Sequence, residues 1–328
     1  MHISDVLLDV RTVAVAGGLA VVGVGVALRH TRLNLPARKV PMLGLAAAFV
    51  FAAQMINFPV LPLVSGHLMG GVLVAALLGP SAAVVVMAAV LIVQCFLLAD
   101  GGVLALGANI FNMGIVGVVG GWAVYALVSR MVGGLFGRVL AATFAGWVAT
   151  VLAAVSCTGM LVTAGKIGVS WGTMLPVMVG LHMLIGVFEG LITGMVLTFI
   201  ARVRPEMWGL TSTPGSAGGL DGVDAAIQVS NPRQSRGLTG VVYGLVVCVG
   251  LALFVSPFKS EEPDGMEASI ARLVEDEPEG EHLVKTPMDW LGDSRVATGV
   301  AGAVGTLLAF GFAWVVARGL VKPVAVGK

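Results

Sequence analysis

The chain alternates long apolar runs with short polar breaks. The runs fall near 10–28, 41–56, 60–79, 81–98, 103–128, 139–163, 173–201, 238–256 and 296–317. A helix needs about 20 residues to cross the hydrocarbon of a bilayer. Most of these runs reach that length, so the pattern predicts an all-α polytopic membrane protein. The run at 41–56 is short, and the next is broken by Pro59, Pro62 and Gly66. Breaks at membrane depth are tolerated only where the backbone is buried in protein or lines a cavity. The stretch from Asn57 to Gly71 therefore stands out before any motif is considered.

The polar breaks divide the chain. Residues 1–203 carry seven runs, and 238–328 carry two more. Between them, 204–237 reads as a linker, with Thr211, Ser212, Pro214, Gly215, Gly218 and Gly219 typical of flexible loops. Basic residues collect in cytoplasmic loops. Arg29, Arg32, Arg38, Lys39, Arg130, Arg138, Arg202, Arg204, Arg233, Arg236, Arg318 and Lys322 all fall on one side if the runs alternate and the N-terminus is outside. Asp5 and Asp9 precede the first run and arginines follow it, the reverse of a cleaved signal. The chain is therefore expected to begin at Met1. The outside loop at 257–295 holds 11 of the 18 acidic residues, with a short amphipathic helix expected around 266–275. It reads either as a solvated hairpin or as an acidic lid that attracts cations.

Composition narrows the function. Hydrophobic residues make up 57% and charged residues 11%, against roughly a quarter charged in an average soluble domain. Mean hydropathy is +0.98. A soluble globule of this length has no way to bury so much apolar surface. With a net charge of +1, no global field recruits nucleic acid. The 46 glycines suit close helix packing in lipid. Cys95, Cys157 and Cys248 each lie in an apolar run, which suggests neither a disulfide framework nor a zinc site. No phosphate-binding Gly-x-x-x-x-Gly-Lys-Ser/Thr loop and no nucleophile–base set is present. An enzyme is not expected.

Candidate chemistry begins at the first residue. A histidine at position 2 behind a free amine is a compact chelator: the amine, the His2 backbone nitrogen and the imidazole close fused rings on one metal. Planar nitrogen sets favour Ni(II) or Cu(II). Three nitrogens in a plane leave one place, and His67 lies in the broken stretch Val64-Ser65-Gly66-His67-Leu68 on the same outer side. It is the natural fourth ligand.

The residues around this pair resemble the substrate-binding (S) component of energy-coupling-factor transporters for nickel and cobalt, the NikM/CbiM family. The matching stretches are Met1-His2-Ile3, Asn57-Phe58-Pro59-Val60, Ser65-Gly66-His67-Leu68, Leu78-Gly79-Pro80, Asp100-Gly101-Gly102, Leu106 to Gly114 and Glu189-Gly190-Leu191-Ile192-Thr193. Pro263-Asp264-Gly265-Met266-Glu267 resembles the external motif of the small two-helix N component, which makes the whole chain similar to a fused MN protein. The resemblance implies metal ligation by Met1, His2 and His67, with Ser65, Asp100 and Asn109 as supporting residues. It implies a transmembrane T component and ATPase subunits as partners, in a bacterial or archaeal cell membrane. It implies a transported Ni²⁺, with Co²⁺ and a role in cobalamin synthesis as the alternative, and no resident cofactor. Ser4 to Leu8 departs from the family pattern, so looser packing of the N-terminal segment is expected.

Other polar residues in the runs have structural readings. Asn109 and Asn112 share a helix face and suit hydrogen bonds between helices. Glu189 reads as structural or coupling, too deep to be a ligand, and His182 shares its helix face. Ala48 and Ala52 offer a small-residue surface for a docking partner. The rival class is an ion-coupled secondary carrier, which inverted repeats and paired mid-membrane carboxylates would favour; neither is visible in the sequence.

Overall fold

The computed structural model describes residues 1–204, 233–274 and 294–321, with the backbone alone described for 233–238. Eleven helices and one hairpin order themselves along these residues. Helix α1 (Val10–Asn34) is followed by α2 (Val40–Gln54), a hairpin of β1 (Phe58–Leu61) and β2 (Val64–Gly66), α3 (Gly71–Leu78) and α4 (Pro80–Leu98). Next come α5 (Leu106–Asn109), a π-helical stretch (Ile110–Gly117) and α6 (Val118–Met131), which form one continuous rod. Then α7 (Gly134–Ala164), α8 (Trp171–Val203), α9 (Arg233–Phe254), α10 (Gly265–Ala271) and α11 (Arg295–Leu320) complete the described chain.

Seven of these segments are long and apolar enough to cross a membrane: α1, α4, the α5–α6 rod, α7, α8, the α9 segment and α11. Their outward faces are apolar too. On α8, for instance, Leu184, Val187, Phe188, Leu191, Met195 and Phe199 are exposed, as lipid-facing side chains are. The runs at 41–56 and 60–79 fold differently from the rest. Helix α2 has 15 residues and reaches about 22 Å at 1.5 Å per residue. Helix α3 has 8. The first half of the latter run is the β1–β2 hairpin, the one non-helical element in an otherwise helical fold among the described residues. Pro59 and Pro62 explain it, since neither donates a backbone hydrogen bond, and Leu63 takes a left-handed turn at φ 62°.

The C-terminal helices pack into the first part of the chain. Ala48 and Ala52 on α2 are fully buried against Cys248 and Ala252 of α9. The small-residue surface expected to receive a separate partner is thus filled by the chain's own α9. Small residues let these backbones approach, as the fit of Gly305 shows: a Cβ there would lie 2.0 Å from the Phe51 ring. Cys95, Cys157 and Cys248 are all free and buried, consistent with their apolar settings. The helix expected around 266–275 is α10, ending at Ala271. Most of the expected linker and the remainder of the acidic loop, including His282, lie outside the described residues.

Candidate metal centre

The chain begins inside the protein. Met1 and Ile3 are buried, and so are Leu7 and Leu8. Asn109 pairs with both backbone groups of Ile3: the Ile3 N–H donates to its Oδ1 at 2.8 Å, and its Nδ2 donates to the Ile3 carbonyl at 3.0 Å. The Gly102 N–H donates to the same carbonyl at 3.0 Å. Asp5 accepts the Val103 and Ala105 N–H groups, and Asp9 caps α1. The looser packing expected of Ser4 to Leu8 is therefore not what the chain adopts; Asp5 ties the segment to the loop before α5. That loop needs its glycines. Gly101 has φ 79°, and a Cβ there would meet Asn109 Nδ2 at 2.6 Å.

His67 arrives from the opposite wall. After β2 the backbone runs without regular structure through 67–70, then turns into α3 at Gly70, whose φ is 77°. The Glu189 carboxylate on α8 accepts the N–H groups of Met69 at 2.6 Å and Gly70 at 2.9 Å. Free N–H groups at a helix start need such an acceptor. Glu189, read from the sequence as structural or coupling, is not remote: it anchors the loop two residues from His67. The broken segment carries this loop down into the bundle to meet it.

The predicted ligands converge. The Met1 amine lies 3.5 Å from His67 Nε2. The His2 and His67 rings stack at 5.5 Å between centroids, tilted by 27°. His2 Nδ1 faces Asp100 Oδ1 at 3.2 Å. Asn109 holds the segment that carries His2. Ser65 does something else. Its hydroxyl donates to the Glu262 carbonyl at 2.7 Å, and its N–H donates to the Pro263 carbonyl at 2.9 Å. It fastens the C-terminal part of the chain to β2 rather than supporting a ligand. Asn112, in the π-helical stretch, leaves both side-chain atoms without a partner among the described residues. It does not act as glue between helices.

Sequence reasoning missed Asp264. Its Oδ2 accepts directly from the Met1 amine, 263 residues away. Its Oδ1 accepts from Met266 and Glu267 N–H groups and so starts α10. The motif Pro263 to Glu267 was visible, but no spacing rule connects it to the first residue. Gly265 then lies over His182, where a Cβ would come within 2.8 Å of the ring. A small cavity brings Met1, His67, His182 and Asp264 together with Met69 and Met113. His182 is buried on α8, and its Nδ1 pairs with the Met178 carbonyl at 2.7 Å.

Electrostatics separate the nitrogen donors. Burial pushes both imidazoles toward the neutral form, His67 down to about 4, with the positive amine adding to the effect. Burial also opposes charge on the amine, but the Asp264 carboxylate beside it more than reverses this and raises its pKa above 8.0. The same amine holds the Asp264 carboxyl well below its usual range despite burial. Neutral imidazoles offer lone pairs to a metal, while the amine must first shed a proton. Among the described residues, no three His, Cys, Asp or Glu side chains form a metal-binding cluster. The nitrogen set gathered here draws instead on the chain end and the backbone.

Comparison with known proteins gives the family. A family described as "Cobalt uptake substrate-specific transmembrane region", CbiM, matches residues 2–207. A putative fused nickel transport protein NikMN of Archaeoglobus fulgidus is 40% identical over 216 residues, 66% of this chain and 70% of its own. The cobalt transport protein CbiM of Geobacter sulfurreducens is 27% identical over 84% of this chain and 77% of its own. The crystal structure of a truncated transition metal transporter superimposes with a TM-score of 0.55 at 30% identity, covering 62% of this chain and 99% of that one. With seven segments long enough to span and a buried chain end facing a histidine, the chain is a multi-pass membrane protein of the NikM/CbiM family of nickel and cobalt transport proteins.

Proposed function

We propose that this protein is the substrate-capture component of an ATP-driven importer, and that it takes Ni²⁺ from outside the cell through the Met1 amine, the His2 backbone nitrogen, His2 Nδ1 and His67 Nε2. The observation that carries this reading is the buried Met1 amine, 3.5 Å from His67 Nε2 with the His2 ring stacked beside it. The amine, amide nitrogen and Nδ1 of a second-position histidine close a five-membered and a six-membered ring on one ion. The fourth position is cis to the amine. For bonds of about 2.0 Å that places the amine and the fourth nitrogen about 2.8 Å apart, so the amine needs to move less than 1 Å once Asp264 releases it. Planar nitrogen ligation favours Ni(II) over Co(II), and the name of the Archaeoglobus fulgidus relative points to the same metal.

The proteins that move the metal onward are a transmembrane T component and a pair of ATPases, since this chain carries no phosphate-binding loop. The N-terminus faces outside in this reading, which the placement of Arg and Lys supports. Asp264 and Pro263 of the C-terminal part hold the Met1 amine and Ser65 and so cover the site.

His67→Ala tests the ligand set. It should lower nickel affinity at least 100-fold by calorimetry, with the circular dichroism of the chain unchanged. Unchanged affinity would refute the assignment. A chain cut at about residue 210 keeps all four nitrogens but loses Asp264 and the cover over Ser65. Nickel should still bind, and chelator competition should show release roughly tenfold faster, because closure acts mainly on dissociation. Complete loss of binding would place a ligand in the C-terminal part.

A further inference from the structure

Two glutamines buried between helices have no part in the scheme so far. Gln94 on α4 donates through Nε2 to Gln54 Oε1 on α2 at 2.8 Å, and Gln54 Nε2 donates to the Met69 carbonyl at 2.9 Å. Met69 lies two residues from His67, and its own N–H is held by Glu189. At the other end, Gln94 is a hydrogen-bonding neighbour of the His2 ring. Yet that end is open: His2 Nε2 and Gln94 Oε1 are both buried and both lack a partner of ordinary geometry among the described residues. Two orphaned polar atoms in one interior are costly.

The tautomer explains the gap. With no cation bound, His2 Nδ1 donates to Asp100. A neutral ring then carries a bare Nε2 lone pair, and the Gln94 carbonyl oxygen is an acceptor too; two acceptors do not bond. A metal on Nδ1 displaces Asp100 and puts the ring hydrogen on Nε2. Gln94, a hydrogen-bonding neighbour of this ring, carries an acceptor oxygen without a partner among the described residues. We infer that Gln94 is a positioning residue for the bound metal: its Oε1 accepts from His2 Nε2 only in the loaded state, and through Gln54 it couples the His2 ring to the loop bearing His67. Histidine ligands commonly donate their second ring N–H to a carbonyl or carboxylate, and loss of that partner costs 10- to 100-fold in metal affinity. Asp100 and Gln94 thus hold the two sides of one imidazole, the first in the free state and the second in the loaded one.

This inference rests on the ligand set proposed above, and nickel binding to the unaltered full-length chain is the control that separates the two. If that chain binds no nickel, the ligand set fails. If it binds, Gln94→Met should lower nickel affinity about 10- to 100-fold and shift the Ni(II) ligand-field absorption band. Gln94→Glu, protonated in this buried setting, retains both an acceptor and a donor and should stay within about threefold of the unaltered chain. Wild-type affinity and band in Gln94→Met would overturn the inference. So would an equal loss in Gln94→Glu, which would mark a packing role only. Gln54→Met leaves His2 and Gln94 in place and tests the same chain should Gln94→Met fail to fold: a fall of about tenfold supports the coupling, and unaltered affinity overturns it.

Discussion

A chain bearing an uncleaved N-terminal extension should lose nickel binding and uptake together, by at least 1000-fold in affinity. One of the four proposed nitrogens, the Met1 amine, is an amine only at a chain end, and the His2 backbone nitrogen chelates through the ring it closes with that amine. An extension turns the amine into an amide, which has to lose a proton before it binds and leaves the His2 backbone nitrogen without an anchoring amine beside it. It also has nowhere to go. Met1 is 7% exposed and Ile3 fully buried, the Ile3 peptide is clasped by Asn109, and Asp264 closes over the amine. Added residues would have to push α10 off α8 or draw the whole segment out. One alanine inserted between Met1 and His2 is a subtler change. The histidine, now third, completes a planar set with four nitrogens of its own, so His67 is not used. That variant should bind nickel and fail to transport it, because the metal no longer bridges the N-terminal segment and the broken helix. A tag beyond Lys328 should be silent. Calorimetry and uptake into vesicles, run on all three, check this; transport by an intact N-terminally extended chain would end the proposal.

How much of this was legible in the sequence depends on the range over which each interaction acts. Met1-His2 is a local signal, because a chelate is made from adjacent atoms. His67 was legible because prolines and glycine break an apolar run, and a broken backbone at membrane depth must be shielded by protein. Asp100 and Asn109 were visible as polar residues close to that level, and both act on the N-terminal segment. Asp264 was not legible as a partner of Met1. The pair is 263 residues apart, and only the docking of α9 and α11 onto α2 and α4 brings them together. The same docking covers Ala48 and Ala52, which in isolation look like a free surface. Glu189 was placed too deep because depth was counted along α8 alone. The β1–β2 hairpin and the irregular 67–70 segment carry the ligand loop inward, and the Met69 and Gly70 N–H groups reach the carboxylate there. Gln54 and Gln94 gave no signal, since a single glutamine in an apolar run has no periodicity of its own. What set Gln94 apart was its buried oxygen without a partner among the described residues, on a side chain that neighbours the His2 ring, whose Nε2 is equally unpartnered.

Nickel affinity should climb about 100-fold per pH unit from pH 5.5 to 7.5, a range of about 10,000-fold. An unperturbed histidine near 6.5 would instead place the transition around pH 6, with little gain above it. The structure moves the limit to a different group. His67 titrates at about 4 and releases no proton on binding across this range, and burial pushes His2 toward the neutral form as well. The amine is the reverse case. Asp264 raises its pKa above 8.0, so below that value it is charged and must give up one proton to each metal. The His2 backbone amide must give up another at every pH used. Loading therefore releases about two protons per ion up to the raised amine value and about one beyond it. Calorimetry in buffers of different ionisation heat counts these protons directly. Asp264→Asn supplies the internal check. Without the carboxylate, burial is left to act on the amine, its pKa falls, and the change from about two protons to about one should move to lower pH. A histidine-limited site would keep its transition near pH 6 in both proteins, and that result would remove the amine from the ligand set.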